Sequence, residues 1–175
     1  MRAAWAQITA HHKRWLFINA VVIAALANAA LNALIAWGTA APEDEVPLWA
    51  VPLVGGPSTT VDTVATLFIL PFLTTLAITT TAWHEMREGK LARLSVDRSA
   101  DPLLARLPAR RARRGAYFGL ITMLALGPIA IVLLIAFDFG DVSVGDFVLY
   151  KAIFGVLLGA LVTPPIAIAA LTDEV

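Results

Sequence analysis

Residues 15–37 read WLFINAVVIAALANAALNALIAW, twenty-three residues with a tryptophan at each end and no charged side chain between them. A helix rises 1.5 Å per residue, and about 20 mostly apolar residues cover the ~30 Å of hydrocarbon in a bilayer. The stretch is long enough to cross. In lipid it must be helical, because every backbone N–H and C=O has to be satisfied within the segment. The two tryptophans suit the two headgroup levels, where an indole meets both apolar and wet surroundings. Three further stretches have the same character, from about Val61 to Trp83, Ala116 to Phe137 and Phe147 to Leu171.

The whole composition agrees. Of 175 residues 59% are hydrophobic and 15% charged, with a mean hydropathy of +0.78. A soluble domain carries about 25% charged residues. The expected fold is an all-α integral membrane protein, a single four-span domain over residues 1–175. Its spans lie at about 15–37, 61–83, 116–137 and 147–171, arranged as two antiparallel hairpins, with an outer loop 38–60 and an inner loop 84–115.

Charge orients the spans. Arg2, Lys13 and Arg14 precede the first, and the remaining arginines together with Lys90 lie between the second and third, leaving Lys151 as the one basic residue elsewhere. Glu43, Asp44, Glu45, Asp62, Asp138, Asp141 and Asp146 fall on the opposite side. The positive-inside rule then makes both termini cytoplasmic. Arginine outnumbers lysine and alanine is abundant, which points to a GC-rich bacterial source and hence to a multi-pass inner-membrane protein. Span one is expected to be retained. Its apolar run is longer than the 7–15 residues of a signal peptide, and Pro42 would follow any cut after Thr39-Ala40-Ala41.

The connecting segments carry their own signals. Met1–Arg14 reads either as an amphipathic lead-in, with Ala3, Ala4, Trp5 and Ile8 on the inner leaflet, or as a frayed helical extension of span one. In the outer loop, Pro47, Pro52 and Pro57 forbid a regular helix, so its apolar part is expected to lie on the interface or cap the bundle. Thr59-Thr60-Val61-Asp62 and Ser143-Val144-Gly145-Asp146 read as capping boxes opening spans two and four. In the inner loop, Asp101-Pro102 starts a short amphipathic helix whose Leu103, Leu104 and Leu107 face the leaflet, and Pro108 ends it. Arg110, Arg111, Arg113 and Arg114 follow and are expected to meet anionic lipid headgroups.

Lipid removes the hydrophobic drive between helices, so close approach and interhelical hydrogen bonds must replace it. Gly155, Gly159, Thr163 and Ala167 recur every four residues and make a small-residue groove on span four, expected to pack helices within the chain and to serve as the surface for self-association. Gly115 and Gly119 do the same on span three. Asn28 and Asn32 share a face of span one and lie near the levels of Thr66 and Thr63 in an antiparallel span two, rich in threonine. They are expected to bind those threonines or cross a dimer interface. The sharper alternative is a polar cleft lined by Asn28, Asn32, Thr66 and Thr74, with Pro71 freeing a carbonyl at mid-depth. A shift of 100 residues aligns Arg14–Trp37 with Arg114–Phe137, including Leu34-Ile35-Ala36 on Leu134-Ile135-Ala136, the trace of a parallel repeat.

Several chemistries are excluded. The chain has no cysteine, hence no disulfide, thiolate metal site or cysteine nucleophile. No ionisable residue stands at mid-depth, which counts against a proton-coupled exporter and against a haem bundle. His11, His12 and His84 all fall at the inner boundary, but His84-Glu85-Met86-Arg87-Glu88 lacks the second histidine of a zincin. Asp138, Asp141 and Asp146 match no calcium loop. No cofactor or metal is expected. With zero net charge and its arginines hugging the bilayer, the chain has no nucleic-acid signature. The expected role is non-enzymatic, an accessory, scaffold or lipid-interacting subunit that self-associates or joins another membrane protein. The alternative is a small-molecule transporter or channel component using the cleft between spans one and two.

Overall fold

A computed structural model describes residues 6–41, 43–50, 56–96, 101–137 and 139–174. Apart from one two-residue ladder it is all-helical. Four helices are long and apolar enough to cross a membrane: α1 (Ala10–Ala40), α2 (Thr59–Arg87), α4 (Arg111–Ala136) and α5 (Val144–Leu171). The short α3 (Pro102–Arg106) lies between α2 and α4. Each long helix matches its expected span to within a few residues: α1, α2 and α4 extend it at the end rich in basic residues, α5 at the acidic end, and α4 stops one residue short at Ala136.

Caps set several starts. Thr9 accepts from the backbone of His12, and the His12 ring reaches back to Thr9, so a histidine completes the capping box of α1. Asp101 caps α3 with Pro102 behind it, and Ser143 caps α5 by accepting from Asp146, both as the sequence implies. For α2 the cap is Ser58, one residue before the expected box, and it accepts from Val61. Asp62 is thereby released for another role. Within α1, Leu16–Ile23 winds as a wider π-helix, a form usually met as single turns.

Helix packing crosses the two halves of the chain. α1 packs on α5, α2 packs on α4, and α2 and α5 meet in the middle. The most extensive contacts therefore join helices of opposite halves of the chain rather than consecutive helices. The pattern maps onto itself when α1 is exchanged with α4 and α2 with α5. α5 is the hub, and its last turns from Ile166 to Leu171 are wholly buried.

The two ends of the bundle differ. At the acidic end β1 (Glu45–Val46) pairs antiparallel with β2 (Val142–Ser143), tying the first outer loop to the link between α4 and α5. Val46 is buried there with Ala36, Ala40 and Phe147. At the basic end the inner loop folds back on the protein. Leu91, Leu94 and Val96 join Leu104, Leu107 and the end of α5 in one core, and the Leu94 N–H donates to the Leu171 carbonyl at 2.9 Å. This corrects the placement of α3 on the leaflet: Leu104 and Leu107 point into the chain, and only Leu103 is exposed. Trp15 belongs to this core and Ile8 packs against it. Ala3, Ala4 and Trp5 lie outside the described residues.

Candidate functional site

Polar groups converge on α5 at three levels. In the middle, Gly155 and Gly159 receive α1. A Cβ on Gly155 would stand 2.8 Å from the Asn28 carbonyl oxygen, and one on Gly159 would stand 2.6 Å from Asn28 Nδ2. Thr163 completes the groove and turns its own hydroxyl back onto the Gly159 carbonyl. The small-residue groove thus packs helices as expected, but its occupant is α1 of the same chain. That corrects its reading as a surface for self-association. Gly115 and Gly119 are filled in the same way by Phe72 and Phe68 of α2.

Because α1 rests on α5, its level against α2 is set by the glycines. Asn28 meets Thr74 at 3.4 Å, two helical turns deeper than the expected Thr66. Asn32 donates to the Asn28 carbonyl at 2.8 Å instead of to α2. Most threonines of α2 are spent on their own helix: Thr63, Thr66 and Thr75 donate to the carbonyls of Thr59, Asp62 and Pro71. The four candidate cleft residues are therefore divided. Asn28 and Thr74 border a 260 Å³ groove between α1 and α2, whose walls are otherwise mostly apolar, with Ile23, Ala27, Leu31, Leu73 and Ala77 among them. Asn32 is buried in the α1–α5 contact and Thr66 belongs to the acidic end.

At that end Lys151 is fully buried about two turns into α5. Its ammonium pairs with the Asp62 carboxylate and donates to Thr66 Oγ1 and, at 3.3 Å, to the Asp62 carbonyl. The next residue along, Tyr150, shares a 2.8 Å hydrogen bond with Thr63. A buried ion is tolerated only when paired and hydrogen-bonded, and both conditions hold here. The sequence assigned Asp62 to capping and left Lys151 unplaced. The available signal was that Lys151 is the only basic residue on the acidic side.

At the basic end Arg114 is completely buried. Its Nη1 and Nη2 donate to the two Asp173 oxygens at 2.7 and 2.8 Å, while Nε donates to the Pro108 carbonyl at 3.1 Å. Trp83 Nε1 adds a third donor to Asp173 at 3.0 Å. Arg114, grouped by the sequence with headgroup ligands, is thus withdrawn from the surface. Its helix must close on α2 at Gly115, and that turns the arginine inward. Arg110, Arg111 and Arg113 are exposed. A cavity of 730 Å³ opens beside this pair, bordered by Trp83, Arg93, Leu104, Thr172 and Asp173.

The histidines do not meet. His12 Nε2 donates to the Ala92 carbonyl at 2.7 Å while Nδ1 faces Thr9, and His11 Nε2 donates to the Lys90 carbonyl at 2.9 Å. Both pin the start of α1 to the inner loop. His84 pairs with Glu88 at 3.3 Å, and Glu88 pairs with Lys90 at 2.6 Å. The Lys90 hydrogen bond, then the charge of His84, holds the Glu88 carboxyl below its ordinary range, and Glu88 raises Lys90 in turn. Among the described residues no group of three or more His, Asp or Glu side chains could hold a metal. Asp138 is outside those residues, Asp141 is exposed, and Asp146 bonds Ser143.

A smaller cavity of 400 Å³ lies at the same end between α2 and α4, lined by Thr80, Trp83, His84, Arg87 and Arg111. Arg111 Nη1 donates to Thr80 Oγ1 at 2.8 Å. Compared with protein-family models, with curated proteins and with solved structures, the chain matches none.

Proposed function

We propose that this protein crosses a bacterial inner membrane four times with both termini cytoplasmic, and acts there without catalysing a reaction, as an accessory, scaffold or lipid-interacting subunit. The interlocking of α5 carries the reading. Asn28 fills the groove at Gly155 and Gly159, and ion pairs grip the helix at Lys151 and just beyond its end at Asp173. Polar side chains that a carrier would turn toward a solute are used to hold helices together. The outward faces are apolar, with Leu26, Leu34, Leu124, Val132, Leu157 and Leu161 all exposed. Such faces suit lipid tails or another membrane protein. The basic end, bearing Arg110, Arg111 and Arg113, suits the anionic leaflet. With the glycine groove occupied, self-association would use one of the exposed apolar faces.

A small-molecule carrier is the second reading, favoured by the presence of Asn28 and Thr74 in the wall of the α1–α2 groove. Native mass spectrometry of the protein released in mild detergent separates the two. A discrete oligomer, a foreign subunit or retained phospholipid is expected. A bare monomer keeping one defined solute, lost on Thr74→Val, would overturn the proposal.

A further inference from the structure

The outward strip of α2 changes character along its length. Ile69, Leu73 and Ala77 are exposed and apolar, and Thr80, His84 and Arg87 continue the same strip at helical spacing, exposed and polar. Leu73 and Ala77 belong to the α1–α2 groove, and Thr80, His84 and Arg87 belong to the 400 Å³ cavity, where Arg111 reaches in from α4. The groove, mostly apolar, and the cavity holding two guanidinium groups thus lie within one helical turn of each other along α2. Neither Arg87 nor Arg111 has an ion-pair partner among the described residues. The nearby acid, Glu88, is already engaged by Lys90 and His84. Trp83 lines the cavity too, at the level where indoles favour the headgroup region.

We propose that this cavity binds the phosphate of one anionic phospholipid, with Arg87 and Arg111 as its ligands and an acyl chain lying in the α1–α2 groove. Guanidinium groups donate paired hydrogen bonds that match phosphate oxygens. Thr80 fixes Arg111 over the cavity, and the groove's apolar wall gives the chain a surface of matching polarity. The site differs from the run Arg110–Arg114 read from the sequence: it keeps Arg111, adds Arg87 from the neighbouring helix, and leaves out Arg114, which is committed to Asp173. The inference rests on the reading of the chain as membrane-embedded.

The test is native mass spectrometry of the full-length protein in detergent, titrated with phosphatidylglycerol, with phosphatidylcholine and separately with inorganic phosphate. The wild type is expected to retain one phosphatidylglycerol in preference to phosphatidylcholine. Arg87→Gln should weaken that binding about tenfold, the loss of one charge-assisted contact. Arg87→Gln with Arg111→Gln should abolish the preference, while Arg110→Gln with Arg113→Gln retains it. Ala27→Trp, which fills the groove, should weaken both lipids alike. Arg87 is exposed and has no ion-pair partner among the described residues, so its single variant reports even if the double variant unfolds. Displacement of the lipid by millimolar inorganic phosphate would assign the cavity to a free anion instead. Unchanged phosphatidylglycerol binding in Arg87→Gln would overturn the site. Release of the chain from membranes by carbonate washing would instead overturn the membrane reading, so the two failures are distinguishable.

Discussion

Arg114 and Asp173 close on each other through two parallel hydrogen bonds of 2.7 and 2.8 Å, with both side chains removed from solvent. The pair joins the start of α4 to the residues just beyond α5, elements separated by 59 positions in the chain. A buried ion that loses its partner is left uncompensated, and this typically costs about 3–5 kcal/mol.

Arg114→Gln and Asp173→Asn are each therefore expected to lower the unfolding temperature in detergent substantially. Their double variant should lose less than the sum, because the second change removes the charge stranded by the first. Additive losses in the thermal melts would mean that the two groups do not interact.

The glycines of the long helices are not equivalent. A Cβ on Gly119 would sit 2.6 Å from the Phe68 carbonyl oxygen, and one on Gly155 2.8 Å from the Asn28 carbonyl oxygen, whereas Gly127 has open space around it. Gly119→Ala and Gly155→Ala must push backbone apart and should each cost about 1–3 kcal/mol. Gly127→Ala should be neutral or slightly stabilising. Equal melting temperatures for all three would contradict the close helix contacts.

The ladder at the acidic end offers a topological check in a chain without cysteine. Val46 pairs with Val142 across the two short strands. Facing residues of an antiparallel pair have Cα atoms about 4.5–5.5 Å apart, within the span of a disulfide. Val46→Cys with Val142→Cys should form an intramolecular bridge on mild oxidation, seen as a mobility change reversed by reductant. Cross-linked dimers in place of it would argue that the two loops are not neighbours.

Glu88 and Lys90 set a small pH dependence at the basic end. The Glu88 carboxyl is depressed in the folded chain, so its contribution is present above the ordinary carboxylate range and is lost as pH falls through the depressed value. Lys90 is raised, so its share is present below the ordinary lysine range and lost as pH rises through the raised value. Both groups are exposed, and salt screens such pairs. Glu88→Gln should flatten the acid limb of melting temperature against pH at low salt, with no difference from wild type at 1 M salt. A difference that survives high salt would point to another group.

What could be read from the sequence was local or periodic. Twenty-residue apolar runs gave the four helices. Asp101-Pro102 and Ser143 gave two caps, and the four-residue spacing of Gly155, Gly159 and Thr163 gave a packing groove. The partner of each face was not readable, because it depends on contacts between distant segments. Packing of consecutive spans would set Asn28 against Thr66, and it lies at Thr74 because α1 rests on α5. Arg114 looked like its arginine neighbours until the approach of Gly115 to Phe72 turned it inward. Lys151 and Asp62 stand 89 positions apart, and only the contact of α5 with α2 brings them together.

The exchange of partners between the halves bears on how the chain is made. Of the four long helices, α5 is the last to leave the ribosome. Until it arrives, Asn28 and Asn32 lack the glycine groove that shelters them, Asp62 has no ammonium beside it, and Arg114 has no carboxylate. The first three long helices thus carry unfinished polar surface, which marks a chain lacking α5 as incomplete. These groups find their partners together, when α5 and the residues just beyond it dock against the helices already made.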